Sequence, residues 1–135
     1  MIQQYLADQK PSSGLAPPAG TLERYRLQEM LGYINSEIHK NYGPLFNPSI
    51  TPEAKEYQLS TLRKRFDLID KQLAGKQYLF GDKFTVADAY LFVMVGWAGH
   101  VGLDLSAYKN LAPFHQRVAA RPAVQAALKA EGLLK

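Results

Sequence analysis

Apolar residues recur at three- and four-residue spacing along most of this chain, a period that predicts helices. From Thr21, a residue type suited to an N-cap, helix formers run to about Tyr42, with Met30, Leu31, Ile34 and Ile38 on one face. Pro44 and Pro48 hold a loop open until Thr51-Pro52-Glu53. A capping threonine, a proline at the first helical position and an early acid announce the next helix there. Leu59, Leu62, Phe66, Ile69 and Leu73 form its stripe, and Gly75 ends it. Residues 77–84 are a short turn-rich segment containing Gly81-Asp82. A third helix starts at Thr85, is apolar nearly all round, and exits at Gly102-Leu103-Asp104, which places it in the centre of a bundle. Two more follow, Asn110 to Arg121 with Leu111, Phe114 and Val118, and Pro122 to about Glu131 with Val124, Ala127 and Leu128. No stretch alternates apolar and polar residues between hairpin turns. The expected class is all-α, a five- to six-helix bundle without internal repeats.

The ends of this pattern define the organisation. Met1 to Asp8 reads like the last turns of a helix whose beginning is missing. Residues 10–21, rich in Pro, Gly and Ser, cannot continue that helix and read as a linker. The helical domain is then 22–135, and 135 residues suffice for one compact domain at roughly 150 residues per domain. Hydrophobic residues at 47% and charged residues at 21% exclude wholesale disorder and fibrous classes. The chain has no cysteine, hence no disulfide framework, thiolate nucleophile or Cys-ligated zinc. Together with the lack of a basic and apolar leader pattern, this predicts a cytoplasmic protein.

Charge adds little to the picture. The net +4 arises entirely beyond residue 52, since residues 1–52 hold four basic and four acidic side chains. Arg63-Lys64-Arg65 is the only basic run, and three consecutive helical residues splay around the axis instead of forming a stripe. Nucleic-acid binding is therefore not expected. The apolar stretch Val86 to Leu103 has membrane-span length, yet Asp88, His100 and three glycines mark it as a core helix.

Few residues could carry chemistry. Thr85-Val86-Ala87-Asp88 has the spacing of a reciprocal helix cap, the Thr85 hydroxyl accepting from an amide three residues on and Asp88 reaching back to the Thr85 amide. No second carboxylate or histidine stands at a useful helical spacing from Asp88, so a structural cap is favoured over a catalytic acid. His39, His100 and His115 form no metal-ligand pair, and no bound metal is expected. His39-Lys40 places two potential cations near the end of the first long helix, where the helix dipole favours them for structural reasons alone. Tyr90 and Trp97, seven residues apart, share a face of the central helix. Gly96, Gly99 and Gly102 leave part of that helix bare, either for close packing or for a ligand pocket.

These residues also carry a resemblance. Phe84-Thr85-Val86-Ala87-Asp88-Ala89-Tyr90-Leu91-Phe92, preceded by Gly81, resembles the capping-box segment of the glutathione transferase C-terminal domain. Glu37-Ile38-His39-Lys40, then Pro44-Leu45-Phe46, Trp97-Ala98 and the ending from Arg121 to Leu133, are similar to the bacterial beta class. The resemblance implies a two-domain enzyme that joins the glutathione thiolate to small hydrophobic electrophiles, with glutathione a co-substrate and no tightly bound cofactor. It implies that His39 and Lys40 approach the glutathione sulfur, that Tyr42, Tyr90 and Trp97 wall the electrophile pocket, and that the enzyme is a homodimer. Gly32 departs from the pattern, because relatives often carry an asparagine there that reaches glutathione across the dimer. It further implies that residues 1–9 are the last helix of a thioredoxin-like, glutathione-binding domain otherwise absent from this chain. Little or no activity is then expected from the chain alone. The competing reading is a non-catalytic helical interaction module.

Overall fold

The computed structural model describes residues 1–134. Its α-helices are α1 (Ile2–Gln9), α2 (Leu22–Tyr33), α3 (Lys40–Tyr42), α4 (Pro52–Leu73), α5 (Val86–Val101), α6 (Leu111–Ala119) and α7 (Pro122–Ala130). A π-helical segment, Ile34–His39, joins α2 to α3 without a break. Six continuous rods result, and the protein is all-α.

The expected first long helix thus exists but changes pitch midway. Its buried stripe is Leu27, Ile34, Ile38 and Tyr42, while Met30 and Leu31 are only half-buried. Positions four apart drift by about 40° per step at 3.6 residues per turn. The wider π turn, marked by the Lys40 amide donating to the Asn35 carbonyl five residues back, offsets part of that drift. Ile34, Ile38 and Tyr42 consequently all point inward.

The other helices match the apolar pattern closely. Thr51 caps α4 by accepting from the Ala54 amide at 3.2 Å, and Leu59, Leu62, Phe66, Ile69 and Leu73 are all buried. Leu111, Phe114 and Val118 bury the inner face of α6. The last helix differs: α7 has no buried residue, with Val124 and Leu128 half-buried and Ala127 exposed, so it lies on the outside of the bundle. Arg63 and Arg65 of the basic run turn in different directions, pairing with Glu56 at 2.7 Å and Glu37 at 2.8 Å.

The centre is α5, which packs on α1, α2, the π segment and α6. The reciprocal cap is present at its start. Asp88 Oδ2 accepts from the Thr85 amide at 2.8 Å and the Thr85 hydroxyl at 3.0 Å, with Asp88 fully buried. Oδ1 accepts from the Leu79 amide at 2.8 Å, which fastens the 77–84 segment to the same carboxylate. The Val86 amide donates to the Leu15 carbonyl at 3.0 Å, so the linker completes the helix start. Burial pushes the Asp88 carboxyl up from its ordinary value, and the hydrogen bonds from Leu79 and Thr85 pull it partly back.

The first helix is tied down as well. Ala7 is buried, and the Arg24 guanidinium, itself only 5% exposed, binds both carboxylate oxygens of Asp8 while Nε donates to the Pro17 carbonyl at 2.7 Å. One side chain on α2 thereby fixes α1 and the linker. Arg24 holds the Asp8 carboxyl below its ordinary value through hydrogen bonds and charge. A lowered carboxyl contributes stability above its unfolded value and loses it as pH falls through the folded one. No helix among the described residues is long and apolar enough to cross a membrane.

Replacing Asp88 by Ala leaves two buried amides without acceptors, and each such loss costs about 1–3 kcal/mol. Urea unfolding of Asp88→Ala is expected to show a loss of about 3 kcal/mol, with Asp88→Asn, which keeps one acceptor oxygen, intermediate; an unchanged midpoint would refute the cap. For the Asp8 tie, amide exchange across Ile2–Gln9 is expected to lose protection as pH falls through the acidic range. Asp8→Asn should show that loss already at neutral pH.

Candidate functional site

The π segment and α5 bring most of the expected site residues together. His39 is half-buried at the end of the π segment, and its Nδ1 lies 2.6 Å from the Tyr90 hydroxyl. Its imidazole stands edge-on to two rings of α5, 5.7 Å from Tyr90 and 5.1 Å from Trp97, both at 84°. Tyr90 and Trp97 share a face because seven residues nearly complete two helical turns. The next residue, Lys40, is exposed and enters none of the ion pairs found among the described residues. The site is thus an imidazole wedged between aromatic rings, followed in the chain by an exposed lysine outside those ion pairs.

Tyr42 departs from its expected place on the pocket wall. It is fully buried, and its hydroxyl donates to the Met94 carbonyl of α5 at 2.8 Å. Desolvation drives its phenol far above the ordinary value, as a neutral core tyrosine requires. Its ring meets Trp97 edge-on at 5.7 Å and supports the site from beneath instead of facing solvent. The exposed wall residue is Phe46, in the 3-10 turn Gly43–Phe46, 52% exposed and edge-on to Trp97 at 5.4 Å. Phe46 follows Tyr42 by four residues, a helical neighbour spacing that could have marked it. Asn35, exposed, places its Oδ1 3.3 Å from the Tyr90 hydroxyl and was also missed. It precedes His39 by four residues, which is the signal that could have found it.

The half-buried rings of His39, Tyr90 and Trp97 and the exposed Phe46 form an aromatic shelf. A groove of about 1270 Å³ exists elsewhere, lined by Arg24, Met30, Tyr33, Leu68, Phe80 and the linker prolines. None of His39, Lys40, Tyr90 and Trp97 lines it. Gly96 and Gly99 open a second, smaller hollow of about 400 Å³ toward α6, where a Cβ on Gly96 would sit 3.6 Å from His115 Nε2. Gly102 instead ends α5 with φ of 76°, a left-handed cap that favours glycine. Thr85 and Asp88 are fully engaged in the helix cap and lie outside the shelf. Gly32 is exposed on α2 with open space where a side chain would project. Among the described residues, no cluster of three His, Asp or Glu side chains could hold a metal.

This bundle, with its buried capping carboxylate and its His-Lys step against α5, defines a C-terminal domain of the glutathione transferase type. The sequence profile described as "Glutathione S-transferase, C-terminal domain" matches residues 33–122. The chain belongs to the glutathione S-transferase family. It is 42% identical over 132 residues to glutathione S-transferase GstA of Escherichia coli O157:H7, covering 98% of this chain and 66% of that protein. The solved bacterial beta-class enzyme of Sphingomonas chungbukensis is 51% identical with a TM-score of 0.93, over 98% of this chain and 66% of that one. A sphingomonad glutathione S-transferase complexed with glutathione is 48% identical with a TM-score of 0.92, again over 98% and 66%. The chain therefore spans just under two thirds of the length of these relatives.

Trp97 is the single tryptophan and reports on His39 directly. Replacing the ring that meets the indole edge-on is expected to change the intensity or wavelength of Trp97 emission in His39→Gln, measured for both proteins at one neutral pH. An emission spectrum identical to that of the parent would refute the contact.

Proposed function

We propose that this chain supplies the electrophile-binding half of a glutathione transferase, with the shelf of Trp97, Tyr90 and Phe46 receiving the hydrophobic co-substrate. The observation that carries this reading is the imidazole of His39 held edge-on between Tyr90 and Trp97, next to the unpaired Lys40. Positive charge near a thiol favours its thiolate, lowering the thiol pKa and raising the nucleophilic fraction. In this reading the glutathione sulfur sits over His39 and Lys40. The thiolate attacks an electrophilic carbon lying on the aromatic shelf, forming the carbon–sulfur bond as a leaving group such as chloride departs with its electron pair. Tyr42 holds Trp97 in place without touching the reactants.

Under the same proposal, α1 is the closing helix of a thioredoxin-like glutathione-binding domain. Its exposed Ile2, Tyr5 and Leu6 are the apolar face that the rest of such a domain would cover. Exposed Tyr57 and Leu68 on α4 are apolar surface for pairing two copies.

Purified alone, the 135-residue chain is expected to show no conjugation of a chlorinated nitroaromatic with glutathione. Joined at Met1 to the thioredoxin-like domain of a beta-class relative, it should conjugate. There His39→Gln with Lys40→Met should cut the rate about tenfold or more, the thiolate population lost per unit of raised thiol pKa. Full turnover by the lone chain would overturn the two-domain reading, and an unaffected double variant would overturn the role of the pair.

A further inference from the structure

The short contact between Tyr90 and His39 fixes more than the position of the imidazole. Tyr90 Oη lies 2.6 Å from His39 Nδ1, while Asn35 Oδ1 stands 3.3 Å away, beyond the usual reach of an O–H···O bond. A phenol has one proton to donate, and the shorter contact takes it. That contact is also too short for an N–H reaching to a phenol oxygen, a range that begins at about 2.7 Å. Nδ1 is therefore the acceptor, and in the neutral ring the other nitrogen carries the hydrogen. We propose that Tyr90 is a positioning residue that locks neutral His39 with its proton on Nε2, making the imidazole a hydrogen-bond donor to the glutathione sulfur and not a base for it.

The surroundings hold the ring in this sense. Nδ1 has no other partner among the described residues, so nothing competes for its lone pair. Tyr90 and Trp97 stand edge-on to the imidazole, both at 84°, and turning the ring over would put a carbon where Nδ1 meets the phenol. Tyr90 follows Asp88 by two residues on α5, so the buried cap that fixes the helix start also fixes where its hydroxyl reaches. Nε2 forms no hydrogen bond with a described residue and is not one of the buried atoms left without a partner, so it opens on solvent. The nitrogen that a neighbour engages decides the chemistry of the one that is left.

The use of this donor rests on the reading given under Proposed function. A thiolate accepts a hydrogen bond far better than a thiol, so an N–H aimed at the sulfur favours ionisation and lowers the thiol pKa. His39 then acts without becoming charged, and Lys40, one residue on, is left as the charge of the pair. A ring with its proton on Nδ1 would offer a lone pair to the sulfur, accept from the thiol and hold it un-ionised. Tyr90 thus has a second part beside its place on the shelf, acting on the sulfur only through His39.

The test reads the tautomer from long-range proton–nitrogen correlations of the uniformly nitrogen-labelled full chain, with its imidazoles neutral. Only three histidines are present, and His39 is assigned by the signals lost in His39→Gln. Exposed His100, whose ring has no hydrogen-bond partner among the described residues, averages between the tautomers and serves as internal reference. In the parent, His39 Nε2 is expected at the protonated limit, displaced from the averaged Nε2 of His100. Tyr90→Phe keeps the ring and removes the donor, and Nε2 should shift towards the His100 position. Unchanged His100 and His115 signals verify that the variant is folded. A parent Nε2 in the bare-nitrogen range or level with His100, or a Tyr90→Phe spectrum matching the parent, overturns the lock. This measurement uses no glutathione. In the joined two-domain protein, the ultraviolet thiolate absorbance gained on adding glutathione at one neutral pH should fall in Tyr90→Phe, and an unchanged gain overturns the donor role. If the tautomer is as expected but conjugation by the joined protein ignores His39, the functional reading fails and the lock stands.

Discussion

The buried carboxylate of Asp88 is the constraint from which the rest of the bundle follows. A charged or acidic group taken wholly out of water is tolerated only when its oxygens are occupied. Here they hold the amides of Thr85 and Leu79 and the Thr85 hydroxyl. Those bonds decide where α5 begins and where the preceding segment runs. Leu79, itself fully buried, is anchored a second time by Gln72, whose side-chain amide donates to the Leu79 carbonyl at 3.1 Å. Arg121 then closes the segment from outside, its guanidinium 4.0 Å from the centre of the Phe84 ring. Because α5 packs on α1, α2, the π segment and α6, its start sets the height of every residue it carries, Tyr90 and Trp97 included.

The second determinant is the change of pitch at Ile34–His39. An uninterrupted α-helix would spread Ile34, Ile38 and Tyr42 over about 80° of its circumference. The π turn keeps all three fully buried and presents the intervening Asn35 and His39 to α5. Packing and the candidate site share one irregularity, in keeping with the concentration of π segments at functional positions. The buried Tyr42 hydroxyl, bonded to the Met94 carbonyl, fastens the end of the rod to α5.

How much of this was legible in the sequence depends on whether a feature is local. The boundaries of α4 were plain because Thr51-Pro52-Glu53 and Gly75 are local signals, and its stripe repeats at helical spacing. The Asp88 cap was legible in its Thr85 half for the same reason. Its Leu79 half was not, since nothing in the spacing of residues 79 and 88 shows that a loop folds back onto a helix start. The π turn has no compositional mark, whereas Met30 and Leu31, which precede it, pack half-buried against the core on the face that Leu27 buries fully. The wall position expected of Tyr42 rests on the family resemblance alone, since nothing in the local sequence tells whether an aromatic after His39-Lys40 faces in or out. Only the fold shows that its ring lies beneath Trp97. Likewise α7 carries helical periodicity without enough neighbours to bury it.

The position of Trp97 shows how these constraints converge on the shelf. Its indole meets His39, Tyr42 and Phe46 at interplanar angles of 84°, 88° and 90°. Each edge-to-face contact of this kind contributes about 0.5–1.5 kcal/mol beyond buried area. The three partners come from the π segment, α3 and the following 3-10 turn, so consecutive parts of one continuous rod grip one residue of α5. A rotation of that rod would break all three contacts together with the His39–Tyr90 hydrogen bond. The half-buried rings of His39, Tyr90 and Trp97 are therefore each fixed by more than one contact. Under the proposed function, preorganisation of this kind reduces the ordering cost of binding.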